Sequence, residues 1–252
     1  MLLSFIPYAG VALAACSRGW SLTPLPLAYT LQHFERVIVE TPKYIVNSFL
    51  YSGLAVVLCI AVGVPIAWIL GRSTMRGRGA LDSINTLILA VPGTALGIAY
   101  IRAFHFDLPG FDRGLTSFWI VMPLILAVRR LPYTVRGAFS SSSSCTAPWR
   151  RRRRAWGLRE ARAFRDVTLP LIWKGIVVGG LFSFMTSLQE ASAVLFLALG
   201  GWEMITNGIF AFYIAGSSSE AAALGVILIA VAAVERRHHQ PAGRRPHGRV
   251  FG

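Results

Sequence analysis

Apolar residues in this chain run in long blocks, not in the alternation of a half-buried strand or the stripe of an amphipathic helix. Residues 44–70 contain no charge at all. Residues 84–101 are apolar apart from Asn85, Thr86 and Thr94, and residues 175–199 carry a single charge, Glu190. A bilayer core of about 30 Å is crossed by about 20 helical residues, so each of these three blocks suffices. Residues 115–128 span if the flanking Arg129 and Arg130 snorkel to the interface. Residues 221–234 reach spanning length together with 216–220, and residues 1–16 are apolar but short. No block reads as a barrel strand. The pattern predicts an all-α, polytopic membrane protein of about six transmembrane helices, with residues 1–234 as the transmembrane domain and 235–252 as a basic, disordered tail.

Composition agrees with the pattern. Hydrophobic residues make up 54% of the chain, mean hydropathy is +0.56 and only 14% is charged, against about 25% in soluble domains. The net charge of +14 would suit a nucleic-acid binder, but its distribution points elsewhere. Arg72, Arg76 and Arg78 face only Asp82 in the second connection, and residues 129–174 hold twelve Lys or Arg against Glu160 and Asp166. In contrast, residues 102–114 balance Arg102 and Arg113 with Asp107 and Asp112, and residues 200–219 contain no basic residue. Basic and near-neutral connections alternate, as the positive-inside rule requires, with both termini cytoplasmic. Topology accounts for the basicity. With no zinc-ligand spacing and no aromatic interleaving of the arginines, no nucleic acid is expected as a partner.

The candidate chemistry is sparse. The segment "LAAC", 13–16, ends an apolar run, but no Lys or Arg precedes it as a secretory signal requires, so it reads as a short first helix. Cys16, Cys59 and Cys145 form no CxxC pair, and the five histidines occupy connections and the tail. Neither Lys43 nor Lys174 follows a glycine, so the GxxxxGK[ST] phosphate loop is absent. The chain is expected to be no enzyme and to need no cofactor or metal. Nucleotide hydrolysis would belong to another subunit.

One stretch stands apart: "APWRRRRRAWGLREARAFRDVTLPLIWKG", 147–175. A long basic connection that ends in "DVTLPL" resembles the cytoplasmic loop of ABC importer permeases. That loop reads Glu-Ala-Ala, three residues, Gly, nine residues, an aliphatic residue, any residue, then Leu-Pro. Leu169 and Pro170 take its end, Val167 the aliphatic place and Gly157 the glycine place, whereas Arg151, Arg152 and Arg153 stand at Glu-Ala-Ala. "NSFLYSG" (47–53), "VPGTALGIAY" (91–100), "RRLPYTVRGAFSS" (129–141) and "SLQEASAVLFL" (187–197) are also similar to this family, above all to its ferric-iron, phosphonate, thiamine and spermidine/putrescine branch. The chain resembles one six-helix half.

The resemblance implies a permease subunit in a bacterial inner membrane that forms a solute pathway with a second permease half or an identical subunit. ATP-binding cassette ATPase subunits would dock on a cytoplasmic coupling loop at about 134–170, and a periplasmic substrate-binding protein would deliver the solute. The docking residues would be Gly157, Ala161, Phe164, Val167, Leu169 and Pro170, with Glu190 and Asn47 in the pathway. Ala161, Phe164 and Val167 recur every third residue and give a helix one apolar face, for which membrane lipid is the competing surface. Glu190 falls 16 residues after Lys174, about 24 Å along a helix, and an intramembrane carboxylate faces a cavity or a partner. A secondary transporter or channel without an ATPase is the alternative. The likeness is weak at 142–155 and absent after Val234. Both zones are rich in Arg, Ser, Pro, Gly and His, as a divergent loop and tail or an out-of-frame reading of GC-rich DNA would be.

Overall fold

The computed structural model describes residues 2–20, 23–71, 77–106, 114–143, 169–197 and 201–239. Nine α-helices occur among them: α1 (Ile6–Ala15), α2 (Gln32–Glu35), α3 (Lys43–Gly71), α4 (Arg78–Ala90), α5 (Gly93–Phe104), α6 (Val121–Ser143), α7 (Leu169–Leu188), α8 (Ile205–Ile214) and α9 (Ser218–His239). A π-helical turn, Arg36–Glu40, extends α2. Two helices, α3 and α7, are long and apolar enough to cross a membrane, and α4 with α5 make a third span if the bent pair is counted as one. The protein is thus helical and polytopic, and each of the six apolar blocks supplies a helix.

The chain divides into two compact units, residues 1–40 with 211–252, and residues 41–210. In the first unit α1 packs on α9, with Val11 against Gly225. Ala15, Val37, Ala221, Ala223 and Leu224 are its buried apolar residues among those described. Glu220, in the first turn of α9, accepts from Arg36 Nη1 at 3.0 Å and lies 3.3 Å from His33 Nδ1. The α9 helix runs to His239, past the expected boundary at Val234.

The second unit is built on α3, α6 and α7, which pack against one another. One apolar cluster joins Tyr51, Ala55 and Cys59 of α3 to Val121, Met122, Ile125 and Leu126 of α6, with Val194, Leu197 and Met204. A second joins Val64, Ala67 and Leu70 to Val135 and Ala138 of α6 and to Ile172 and Ile176 of α7. Between the clusters α6 carries three polar residues, Arg129, Arg130 and Thr134. The Thr134 and Ser183 hydroxyls meet at 2.9 Å, so the α6–α7 contact carries a hydrogen bond at its centre, as membrane helices favour. Small residues let these two backbones touch. A Cβ on Gly137 would stand 2.7 Å from the Gly175 carbonyl oxygen, and one on Gly179 3.0 Å from Thr134 Cα. Outside, α3 exposes Val46, Leu50, Val57 and Val62, the apolar surface expected of a helix in lipid or at a subunit interface.

Three expectations change. Block 84–101 is not one straight span. Proline disfavours helical backbone in the residue before it, Val91 is extended at ψ 126°, and α4 and α5 meet at 107° across Val91–Pro92. Pro65, by contrast, lies inside α3 without ending it. Arg129 and Arg130 do not flank a span ending at residue 128, because α6 continues through them to Ser143. Block 175–199 ends as helix at Leu188, so Glu190 lies just beyond the C-terminus of α7, not inside a spanning helix.

Candidate translocation site

Helix ends determine the character of the site. The carbonyls in the last turn of a helix lack intrahelical donors and attract cations. At the end of α7, Arg130 Nη2 donates to the Thr186 carbonyl at 2.8 Å, and the Glu190 amide closes on Ser187 O at 3.1 Å. The same guanidinium pairs with Glu190 Oε2 at 2.5 Å, while Arg129 Nε reaches that oxygen at 2.8 Å. Glu190 Oε1 accepts from Ser192 Oγ at 2.8 Å and from the Ala193 amide at 3.2 Å. All four contacts come from donors, the pattern of a carboxylate. Its side chain is only 3% exposed. Glu190 thus satisfies the requirement that a buried charge be paired and hydrogen-bonded.

The break between α4 and α5 seats on this cluster. A Cβ on Gly93 would meet Arg129 Nη1 at 2.6 Å and Ser192 Cβ at 2.9 Å, and one on Gly97 would meet the Ala193 carbonyl oxygen at 2.7 Å. Only glycine allows this approach. The start of α5 therefore lies directly on the 190–193 segment, with Arg129 between them.

From Glu190 the polar contacts continue along the chain. Thr206 Oγ1 donates to the Glu190 carbonyl at 2.8 Å, and Ser48 Oγ of α3 accepts from the Ile205 amide at 2.7 Å. Asn207 bridges Met204 and Val194 through its two amide atoms. One residue earlier on α3, Asn47 Nδ2 donates to Gly201 O at 2.8 Å and Glu203 O at 3.1 Å, and one turn before it Lys43 Nζ lies 3.3 Å from Glu203 Oε2. Burial alone would raise the Glu203 carboxyl, but hydrogen bonds from its backbone and from Lys43 outweigh it and hold the group below its ordinary value.

Glu190 and Asn47 therefore hold the same 190–207 segment at different points, without touching each other. Gly157, Ala161, Phe164 and Val167 lie outside the described residues, as do Arg151, Arg152 and Arg153. Leu169 and Pro170 belong to α7, where Leu169 packs against the second apolar cluster and Pro170 is exposed. Arg129 and Arg130, expected at the edge of a span, instead lie within α6 and pair with Glu190. The available signal was the need of an intramembrane carboxylate for a partner.

Residues 63–237 match the family described as "Binding-protein-dependent transport system inner membrane component". The molybdenum transport system permease protein ModB of Escherichia coli (strain K12) is 30% identical over 213 residues, covering 79% of this chain and 92% of ModB. The ferric transport system permease protein FbpB of Actinobacillus pleuropneumoniae is 27% identical over 187 residues, covering 74% of this chain and 27% of FbpB. The sulfate transport system permease protein CysT of Salmonella typhimurium is 28% identical over 142 residues, 54% of this chain and 51% of CysT. The chain thus spans about a quarter of the length of the ferric relative and about half of the sulfate one. Among solved structures, a bacterial ABC transporter involved in the import of the acidic polysaccharide alginate shares the fold, with a TM-score of 0.66 at 15% identity over 95% of this chain and 93% of that one.

Proposed function

The chain belongs to the inner-membrane components of binding-protein-dependent transport systems, and on that premise we propose that it is the permease subunit of an ATP-driven importer. The observation that carries the reading is the family match itself, because residues 63–237 include both the α6–α7 pair and the segment between these helices. In this reading Gly157, Ala161, Phe164, Val167, Leu169 and Pro170 dock ATP-binding cassette ATPase subunits. The touching backbones of α6 and α7 carry that motion to the other end of the pair, where Arg129, Arg130 and Glu190 form a charged closure on the solute pathway. Asn47 holds the pathway's outer rim through Gly201 and Glu203. A second permease half, or a second copy, completes the pore, and a periplasmic substrate-binding protein supplies the solute. Hydrolysis of ATP belongs to the partner subunits.

Both termini are cytoplasmic in this arrangement. Two groupings in the second unit support it: Lys43 and Asn47 join Gly201 and Glu203, and Leu70 and Arg78 share a cleft with Arg136 and Phe139. Connections on one side of a membrane must meet in this way. In a variant without native cysteines, a cysteine at Trp202 should react with an impermeant thiol reagent from outside intact cells, and one at Arg76 should not.

The decisive test is reconstitution of the full chain with its ATPase and binding protein in proteoliposomes. Solute uptake should require both partners and ATP. Uptake that proceeds without an ATPase would establish the secondary transporter or channel instead. Replacing Arg151, Arg152 and Arg153 by Glu, Ala and Ala should strengthen co-purification with the ATPase, because three adjacent cations repel one another and are bulkier than the residues of the family's loop.

A further inference from the structure

The ends of α3 and α4 and one face of α6 enclose a cleft of about 60 Å³, lined by Leu70, Arg78, Asp82, Val135, Arg136 and Phe139. Leu70 and Val135 are buried and give it an apolar floor. Its rim is charged. The Arg78 guanidinium lies 5.8 Å from the centre of the Phe139 ring. Arg136 Nη2 donates to Thr86 Oγ1 at 3.0 Å and stands 3.6 Å from Asp82 Oδ1. Both members of that ion pair are more than half exposed, so the pair is weak. No carboxylate pairs with Arg78 among the described residues. Two guanidiniums against one carboxylate leave the cleft with an excess of one positive charge.

The surroundings of the cleft are those of a membrane surface. It opens where the chain leaves the spanning helix α3, in a connection that carries Arg72, Arg76 and Arg78. Two turns further along the face that carries Arg78 and Asp82, α4 exposes Leu89. A ligand that fits would carry one negative charge with oxygens for the guanidinium forks, and apolar chains to lie along α4.

We propose that this cleft binds the phosphodiester headgroup of an anionic membrane phospholipid, with its acyl chains running along α4 past Leu89. Inorganic phosphate shares the headgroup's chemistry but leaves Leu89 uncovered. Basic pockets at helix ends are suited to such headgroups. The inference depends on the membrane embedding of the chain and not on what it transports.

The full chain, purified in detergent and supplied with phosphatidylglycerol or phosphatidylethanolamine, can be weighed with its bound lipid by native mass spectrometry. Phosphatidylglycerol should be retained preferentially. Arg78→Ala and Arg136→Ala should each weaken that retention roughly fivefold, the effect of one basic residue near an anionic surface. Asp82→Asn should strengthen it, a gain that misfolding would not produce. Millimolar inorganic phosphate should leave the lipid in place. Equal retention by the Arg78→Ala/Arg136→Ala double variant, weaker retention by Asp82→Asn, or displacement of the lipid by inorganic phosphate would overturn the proposal.

Discussion

Glu190 and Glu220 are each held by two basic side chains, but they stand at opposite kinds of helix end. Glu220 lies in the first turn of α9, where the helix dipole favours a carboxylate, and its partner Arg36 is 57% exposed. Glu190 lies past the last turn of α7, where the dipole opposes it, and Arg129 and Arg130 are largely buried around it. The helix and the solvent share the work of stabilising Glu220. Glu190 depends on its arginines, and they depend on it. An identical pairing therefore carries very different weight in the two places.

The largest effect should come from Glu190→Ala, which leaves two buried guanidiniums without their carboxylate. A loss of about 3–5 kcal/mol is expected for breaking a buried pair in this way, seen as a drop in thermal stability of the purified protein. Glu190→Gln preserves volume and an acceptor for Ser192 or Ala193, so its stability loss should be smaller while uptake falls. Unchanged uptake would remove Glu190 from the pathway and reduce the comparison to one of stability alone.

Next comes the seat of α5 on the cluster. Gly93→Ala pushes a methyl group into Arg129 and Ser192 and should destabilise by roughly 1–3 kcal/mol, as overpacking does. Gly53, within α3, has nothing within 4 Å of a built Cβ, so Gly53→Ala should be neutral or slightly stabilising. Equal behaviour of the two variants in thermal unfolding would show that the α5 contact is not tight.

Glu220→Gln should cost about 1 kcal/mol or less, since the Arg36 pair is solvent-screened, and added salt should shrink the difference further. A loss as large as that of Glu190→Ala would dissolve the distinction drawn between the two glutamates. Smallest of all is the Lys43–Glu203 pair, for which Lys43→Met should change stability by only a few tenths of a kcal/mol. Its sign with pH is definite. The Glu203 carboxyl is held below its ordinary value of 4.5, so its contribution is present above that pH and is lost as the pH falls below it. Lys43→Met should flatten that acid limb of a thermal-stability profile.

Much of the architecture was legible because bilayer crossing demands long apolar runs, and 44–70 became α3 almost to the residue. What escaped were features that averaging over a window conceals. Ile84 to Ile101 has the hydropathy of one span, yet Val91–Pro92 splits it, because a local backbone restriction outweighs a favourable average. Arg129 and Arg130 looked like a boundary because two charges end an apolar window. Helical structure is indifferent to that boundary when a carboxylate waits across the packing interface. Glu190 was identifiable alone, since a solitary charge among apolar residues is costly. Its partner Arg130 lies 60 residues away in sequence, with Arg129 beside it, beyond the reach of any local pattern.

The α6–α7 seam fixes which movements the pair permits. With Gly137 against Gly175 and Gly179, the two helices mesh like the threads of a bolt and nut. A slip along the axis would move the close backbone approach at Gly137 off Gly175 and Gly179. Sliding of one helix along the other is thereby opposed, and α6 and α7 are held as a single stiff unit.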